Sequence, residues 1–413
     1  MNTFTIIFIS LLGLSLLVEL WLANRHIRHV RANRDAVPKA FHRKISLEDH
    51  RKAADYTIAH TRFGRIEDIY GTALLAVWTV GGGLEWLDRF VRGFGFNELV
   101  TGTLFILGAF IIMGLIELPV SVYQVFVIEN RFGFNKTTPG LFLGDLVKKT
   151  LLLGVIGTPL AMAALWLMQG TGALWWVYVW LLWSGFTLFL VWAYPAWIAP
   201  IFNKFTPLKK SSVRERIRAL LKRTGFRSRG IFVMDGSRRS AHGNAYFTGF
   251  GKSKRIVFFD TLLEHLGEKE IEAVLAHELG HFKRRHVIKR MLLTFGMCLL
   301  GLALLGWLIT QAWFYAGLGM TQPSTHAALM LFMLVIPVFT FFLRPVLAWG
   351  SRRYEYEADS FAAEQTDARE LVSALVKLYK ENASTLTPDP LHSAFYDSHP
   401  PAALRIAHLA GKS

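Results

Sequence analysis

One cysteine in 413 residues leaves Cys298 without an intramolecular disulfide partner. It also excludes a cysteine-built metal site, so any metal must be held by imidazoles and carboxylates. Acidic residues are scarce as well, 30 against 46 basic ones, for a formal net charge of +16. Such an excess can serve nucleic acid, but no nucleic-acid-binding motif accompanies it. The cations lie instead between long apolar runs, as expected where they set topology beside anionic head groups. Nucleic acid is therefore excluded as a partner, and membrane lipid is expected. Internal repeats and low-complexity tracts are also missing.

What the chain has in abundance is apolar surface. It is 52% hydrophobic with 13 Trp and 32 Phe, and its mean hydropathy is +0.33, well beyond a soluble globular composition. Crossing a hydrocarbon core of about 30 Å takes about 20 helical residues. Seven runs qualify: 4–23, 69–87, 100–121, 150–168, 174–198, 291–311 and 326–343. The first has no basic stretch before it and no small-residue cleavage site after it, and reads as a retained span rather than a secretory signal. Glu85 and Glu117 fall within spans, where they would face a hydrated interior or snorkel from a helix end.

Lys and Arg outside these runs number eleven in 24–68, four in 122–149, twenty-one in 199–290 and eight from 344 onward. The alternate connections carry two, none and none. With seven spans all four rich segments fall on one side, which puts the N-terminus outside and the C-terminus in the cytosol. The expected organisation is a membrane region of five spans with a basic cytosolic loop (1–198) and a cytosol-side polar region (199–290). Two further spans (291–343) and a cytosolic tail (344–413) follow.

The region 199–290 reads as a small α/β unit. A basic helix is expected over 212–224 and a strand over 231–234. A hairpin pairs 244–248 with 255–259 around Gly249, Gly251 and Lys252, and a helix follows from 268 to about 285. That last helix carries His277-Glu278-Leu279-Gly280-His281, an H-E-x-x-H pattern. Residues four apart share a helix face, so both imidazoles can reach one ion while Glu278 points near the open coordination position. Alone, the pentapeptide also fits two histidines on a solvated helix face. His286, nine residues beyond His277, would lie on another face and be solvated.

A catalytic metal needs a third protein ligand. Glu355-Tyr356-Glu357-Ala358-Asp359 offers E-x-x-x-D, in which Glu355 completes the ligand set and Asp359 orients a ligating histidine. Glu357 competes as the third ligand, but the pairing one turn from Asp359 favours Glu355. By itself this segment equally describes an acidic, solvated helix face.

Further blocks accompany these motifs: Val127-Ile128-Glu129-Asn130-Arg131-Phe132-Gly133-Phe134-Asn135-Lys136, Ile198-Ala199-Pro200-Ile201-Phe202-Asn203-Lys204-Phe205, Asn244-Ala245-Tyr246-Phe247-Thr248-Gly249, and Ser398-His399-Pro400-Pro401 with Arg405 after it. Together, over most of the chain, they resemble the type I CAAX prenyl endopeptidases, integral-membrane gluzincin metalloproteases. The resemblance implies a mainly α polytopic protein whose seven tilted helices surround a hydrated chamber, with one zinc ion per chain at its cytosolic end. It implies His399 as the stabiliser of the oxyanion and Arg405 as a substrate-binding residue, a supporting or carboxylate-pairing group beside it. It also implies an edge strand of Asn244, Ala245, Tyr246 and Phe247 that binds an extended peptide by strand addition, Asn244 contacting the substrate.

The substrate is thus a peptide or protein, and the sequence leaves open whether it is prenylated. It also leaves open the membrane, inner or plasma in a bacterium and endoplasmic reticulum in a eukaryote. A membrane quality-control metalloprotease is the alternative within the same chemistry. Charged residues flanking His277–His281 disfavour a protease with its motif inside a span. A metal transporter is the reading from another class, disfavoured by the lack of repeated halves and of midplane ligands on broken helices.

Overall fold

The computed structural model describes residues 2–42, 44–209, 211–248 and 254–411. Six of its helices are long and apolar enough to cross a membrane: Thr3–Ala32, Glu98–Glu129, Pro139–Gly170, Gly172–Phe202, His286–Leu308 and Thr325–Gln365. A seventh long helix, Leu47–Trp78, packs along Thr3–Ala32. Charged residues run along it from Glu48 to Asp68, among them Asp49, Arg51, Lys52, Arg62 and Arg65, so only its last stretch, 69–78, is free of charge. Much of the outer surface of the bundle is greasy. Leu17, Val155 and Leu300 are each more than 60% exposed, which in such quantity requires lipid as the surrounding medium. The protein is an integral, multi-pass membrane protein.

The second expected span, 69–87, is corrected by the structure. The helix stops at Trp78, and the backbone turns through Gly81 and Gly82, the latter at φ +80°, before a short helix begins at Gly83–Arg92. Glycine reaches that left-handed geometry without the steric cost of a side chain. Glu85 therefore sits on a short amphipathic helix and not inside a span. Its carboxylate accepts from the backbone N–H and hydroxyl of Thr321 at 3.0 and 2.5 Å and pairs with Arg89 at 2.7 Å. Asp88, one turn on, is buried against Arg92 (2.8 Å) and His326 (2.7 Å). These acids tie the short helix to the last connection of the bundle, through Thr321, and to the first turn of the Thr325–Thr340 helix, through His326. Glu117 does lie within a spanning helix, exposed at its surface.

On the polar side a four-stranded sheet has the order β1–β2–β4–β3, with β1 Phe205–Pro207, β2 Gly230–Met234, β3 Ala245–Thr248 and β4 Arg255–Phe259. β2 and β4 run parallel, while β1 and β3 pair antiparallel on either side of them. The expected pairing of 244–248 with 255–259 is present, and β3 is a sheet edge. The expected turn at Gly249, Gly251 and Lys252 lies outside the described residues. β1 is too short, and too close to Pro207, to read as a strand in the sequence.

The basic helix Ser212–Thr224 is capped by the Ser211 hydroxyl and closed by Gly225 at φ +67°. It packs on the Glu268–Lys283 helix through Ile217, Leu220 and Leu221. The tail does not stand apart from the 199–290 region. Phe361, Leu371, Leu375 and Leu409 of the tail share one core with Ile256, Phe258, Leu275 and Leu279.

Candidate active site

The Glu268–Lys283 helix starts where local chemistry favours it. Glu270 accepts from the Gly267 backbone N–H at 2.6 Å, satisfying a free helix-end donor. Ser373 and Lys377 hold the same carboxylate at 2.7 Å each, so the tail anchors the start of the helix. Ile271, Val274, Leu275 and Leu279 bury one face, which leaves His277 and His281 one turn apart on another.

Against this face lies the Arg344–Gln365 helix, which delivers Glu355. The two helices meet at Gly280. A Cβ there would stand 2.9 Å from the Cα of Ala358 and 3.0 Å from its carbonyl oxygen, both backbone atoms that cannot swing aside. Gly280→Ala should therefore push the helices apart, costing about 1–3 kcal/mol and weakening metal binding by displacing Glu355. Thermal unfolding with and without added zinc checks both effects.

The three side chains converge closely. His277 Nε2 and His281 Nε2 are 3.2 Å apart, Glu355 Oε1 is 3.2 Å from His281 Nε2, and Glu355 Oε2 is 3.5 Å from His277 Nε2. Two donors each about 2.0–2.1 Å from an ion at a tetrahedral angle stand about 3.3 Å apart. The donor set therefore fits one divalent ion of zinc size. Glu355 is 1% exposed, and its Oε2 makes no hydrogen bond of proper geometry. A buried carboxylate facing imidazole nitrogens without a well-formed hydrogen bond on one oxygen favours a cation among them.

Behind the ligands, Asp359 Oδ1 stands 2.8 Å from His277 Nδ1, and Arg405 donates to Asp359 at 2.8 and 2.5 Å. Burial opposes a charge on His277, but the Asp359 and Glu355 carboxylates outweigh it and raise its pKa to about 9.

The remaining expected residues fall around this centre. Glu278 is half-buried, and no described side chain pairs with it. His399 stands with Nδ1 2.8 Å from Glu355 Oε2 and is largely exposed. Asn244 is exposed at the start of β3, its side-chain oxygen accepting from the Ala245 N–H at 2.8 Å. Ala245, Tyr246 and Phe247 are half-buried along the edge strand, Phe247 against Phe226. Arg405 is buried, with two donors spent on Asp359. The carboxylate it meets is thus Asp359, behind His277.

Residues 26–204 match the family described as CAAX prenyl protease N-terminal, five membrane helices, and residues 207–413 match peptidase family M48. The chain belongs to the CAAX prenyl protease branch of family M48. Among its relatives, the CAAX prenyl protease 1 homolog of Homo sapiens is 32% identical, covering 98% of this chain and 95% of that protein. The Arabidopsis thaliana homolog is 34% identical over 91% of each chain. The Saccharomyces cerevisiae CAAX prenyl protease 1 is 33% identical over 90% of this chain and 88% of its own. The crystal structure of S. mikatae Ste24p superposes with a TM-score of 0.91 at 29% identity, over 99% of both chains. The protein is accordingly a membrane metalloendopeptidase of the CAAX protease type.

Two features of this M48 site escaped the sequence reading. Arg352, one turn before Glu355, donates to the carbonyls of Ser393 (3.3 Å), Ala394 (3.2 Å) and Asp397 (2.8 Å). The helix that carries Glu355 thereby also fastens the loop that carries His399. No spacing announces it, because its acceptors are backbone carbonyls more than forty residues away. The second is His286, expected to be solvated but only 1% exposed. The helix carrying the two histidines ends at Lys283, Arg285 adopts φ +57°, and the chain turns so that the His286 ring meets His281, Nδ1 to Nδ1 at 3.0 Å. Glu357, the rival third ligand, lies 3.0 Å from His286 Nε2 instead.

Proposed function

We propose that this protein is a zinc endopeptidase that cuts prenylated, C-terminal or extended peptides at the cytosolic face of its membrane. The single observation that carries the reading is the convergence of His277, His281 and Glu355 at tetrahedral donor spacing beside a sheet edge. Zinc bound there would supply Lewis acidity, polarising the scissile carbonyl and making a water acidic near neutrality. The chain's own residues do the rest. Glu278 takes that water's proton and returns it to the leaving amine. His399 offers its outward ring nitrogen to the developing oxyanion. Arg405 and Asp359 hold His277 by its Nδ1, leaving Nε2 toward His281 and Glu355, where it would serve as a ligand. β3, with Asn244 at its head, receives the peptide as an added strand.

The prenyl group is supported by the names of the relatives, each a CAAX prenyl protease 1 or homolog. The sidedness rests on the Lys and Arg distribution, with the N-terminus outside and the catalytic region and C-terminus cytosolic. Purified protein assayed for zinc and for cleavage of a farnesylated C-a-a-X peptide, with and without chelator, tests the whole. Chelator-sensitive cleavage of the farnesylated peptide in preference to its unprenylated counterpart is expected. Equal cleavage of both would favour a general quality-control protease, and tightly held metal without any cleavage would revive a transport role.

A pH dependence follows from His277. Its pKa in the metal-free protein is raised to about 9, so over the range below that value a proton must leave before the nitrogen can bind zinc. Zinc affinity should rise roughly tenfold per pH unit from this one proton between about pH 6.5 and 9, measured by competition with a chelator of known pH dependence.

A further inference from the structure

The histidine at position 286 and the acid at 357 form a second support line that no motif describes. His281 presents Nε2 toward the other two donors, 3.2 Å from both His277 Nε2 and Glu355 Oε1. Its Nδ1 lies 3.0 Å from Nδ1 of His286, whose Nε2 lies 3.0 Å from Glu357 Oε2. A ligating Nε2 must carry a lone pair, which puts the proton of a neutral His281 on Nδ1. His286 Nδ1 then has to accept, so the single proton of neutral His286 sits on Nε2 and is donated to Glu357. Every donor in the row finds an acceptor with this one assignment.

Tyr354 stacks on His286 at 4.2 Å and 14°, so the ring is clamped in plane as well as in tautomer. The arrangement parallels the Asp359–Arg405 support of His277, but it is built from the helix break at Arg285 instead of from one helix turn.

We propose that His286 and Glu357 are positioning residues for the second zinc ligand, fixing the tautomer and ring plane of His281. The inference rests on the zinc reading above, and its test reads metal binding rather than cleavage. Full-length protein in detergent would be titrated with zinc against a competing chelator for the wild type, His286→Leu, His286→Asn, Glu357→Leu and the double Leu variant. Removing the outer partner of a ligating histidine typically costs 10–100-fold in affinity, and that loss is expected for His286→Leu. Asn can place an amide oxygen where Nδ1 accepts, so His286→Asn should recover most of the affinity. Glu357→Leu should weaken binding several-fold in the wild-type background and add nothing in the His286→Leu background. The melting temperature of the zinc-free protein should be alike for the Leu and Asn variants.

Wild-type affinity in His286→Leu would overturn the proposal. So would equal loss in the Leu and Asn variants together with an equal fall in zinc-free stability, which marks a packing role. Should His286→Leu not fold, Glu357→Leu decides alone, since its side chain is 40% exposed and wild-type affinity there overturns the pair. A wild type that binds no zinc at all refutes the functional reading and is thereby distinct from these results.

Discussion

Glu278→Gln should keep stoichiometric zinc and native thermal stability while losing about 10²–10⁴-fold or more in turnover of a farnesylated peptide. The amide keeps the shape of the carboxylate but cannot take a proton. Nothing in the fold depends on the charge, because Glu278 is half-buried and no described side chain pairs with it. It also sits between the two histidines on the same helix, within one turn of each. Single-turnover rates on zinc-loaded protein separate the proton-transfer step from metal loss. Wild-type rates in that variant would remove Glu278 from the role of base.

Glu355→Ala should instead lose the metal. Only two imidazoles would remain, and the deleted side chain is the buried carboxylate that supplies the sole negative charge among the three donors. Zinc affinity is expected to fall by more than the roughly 100-fold upper bound for loss of an outer partner. Glu357→Ala should lose only several-fold, because its carboxylate meets His286 and not the three donors. Metal content after dialysis reads the difference directly. Stoichiometric zinc retained in Glu355→Ala would move the third ligand elsewhere.

Legibility along the chain follows the range of the interactions. The apolar runs, the helix at 212–224 and the strands at 231–234, 244–248 and 255–259 are visible because each repeats its own period over a few residues. The break at Gly81–Gly82 is announced by three consecutive glycines, 81–83, but the apolar residues on both sides carried the expected span across it, and the φ of +80° at Gly82 shows that the chain turns there. Glu85 was misplaced for the same reason, its partner Thr321 lying on a distant connection.

The sequence by itself determined the medium and the pair of imidazoles. Hydropathy is a sum over neighbours, and positions four apart on any helix share a face. The sequence also offered Glu355, with Glu357 as its rival; the tertiary structure brings Glu355 to within 3.2 and 3.5 Å of the two imidazoles and Glu357 to His286 instead, because Gly280 lets two helix backbones approach closely. It likewise placed His286 against His281, because a left-handed residue at 285 breaks the helix and turns the chain, and side-chain spacing along a continuous helix says nothing about a helix that ends.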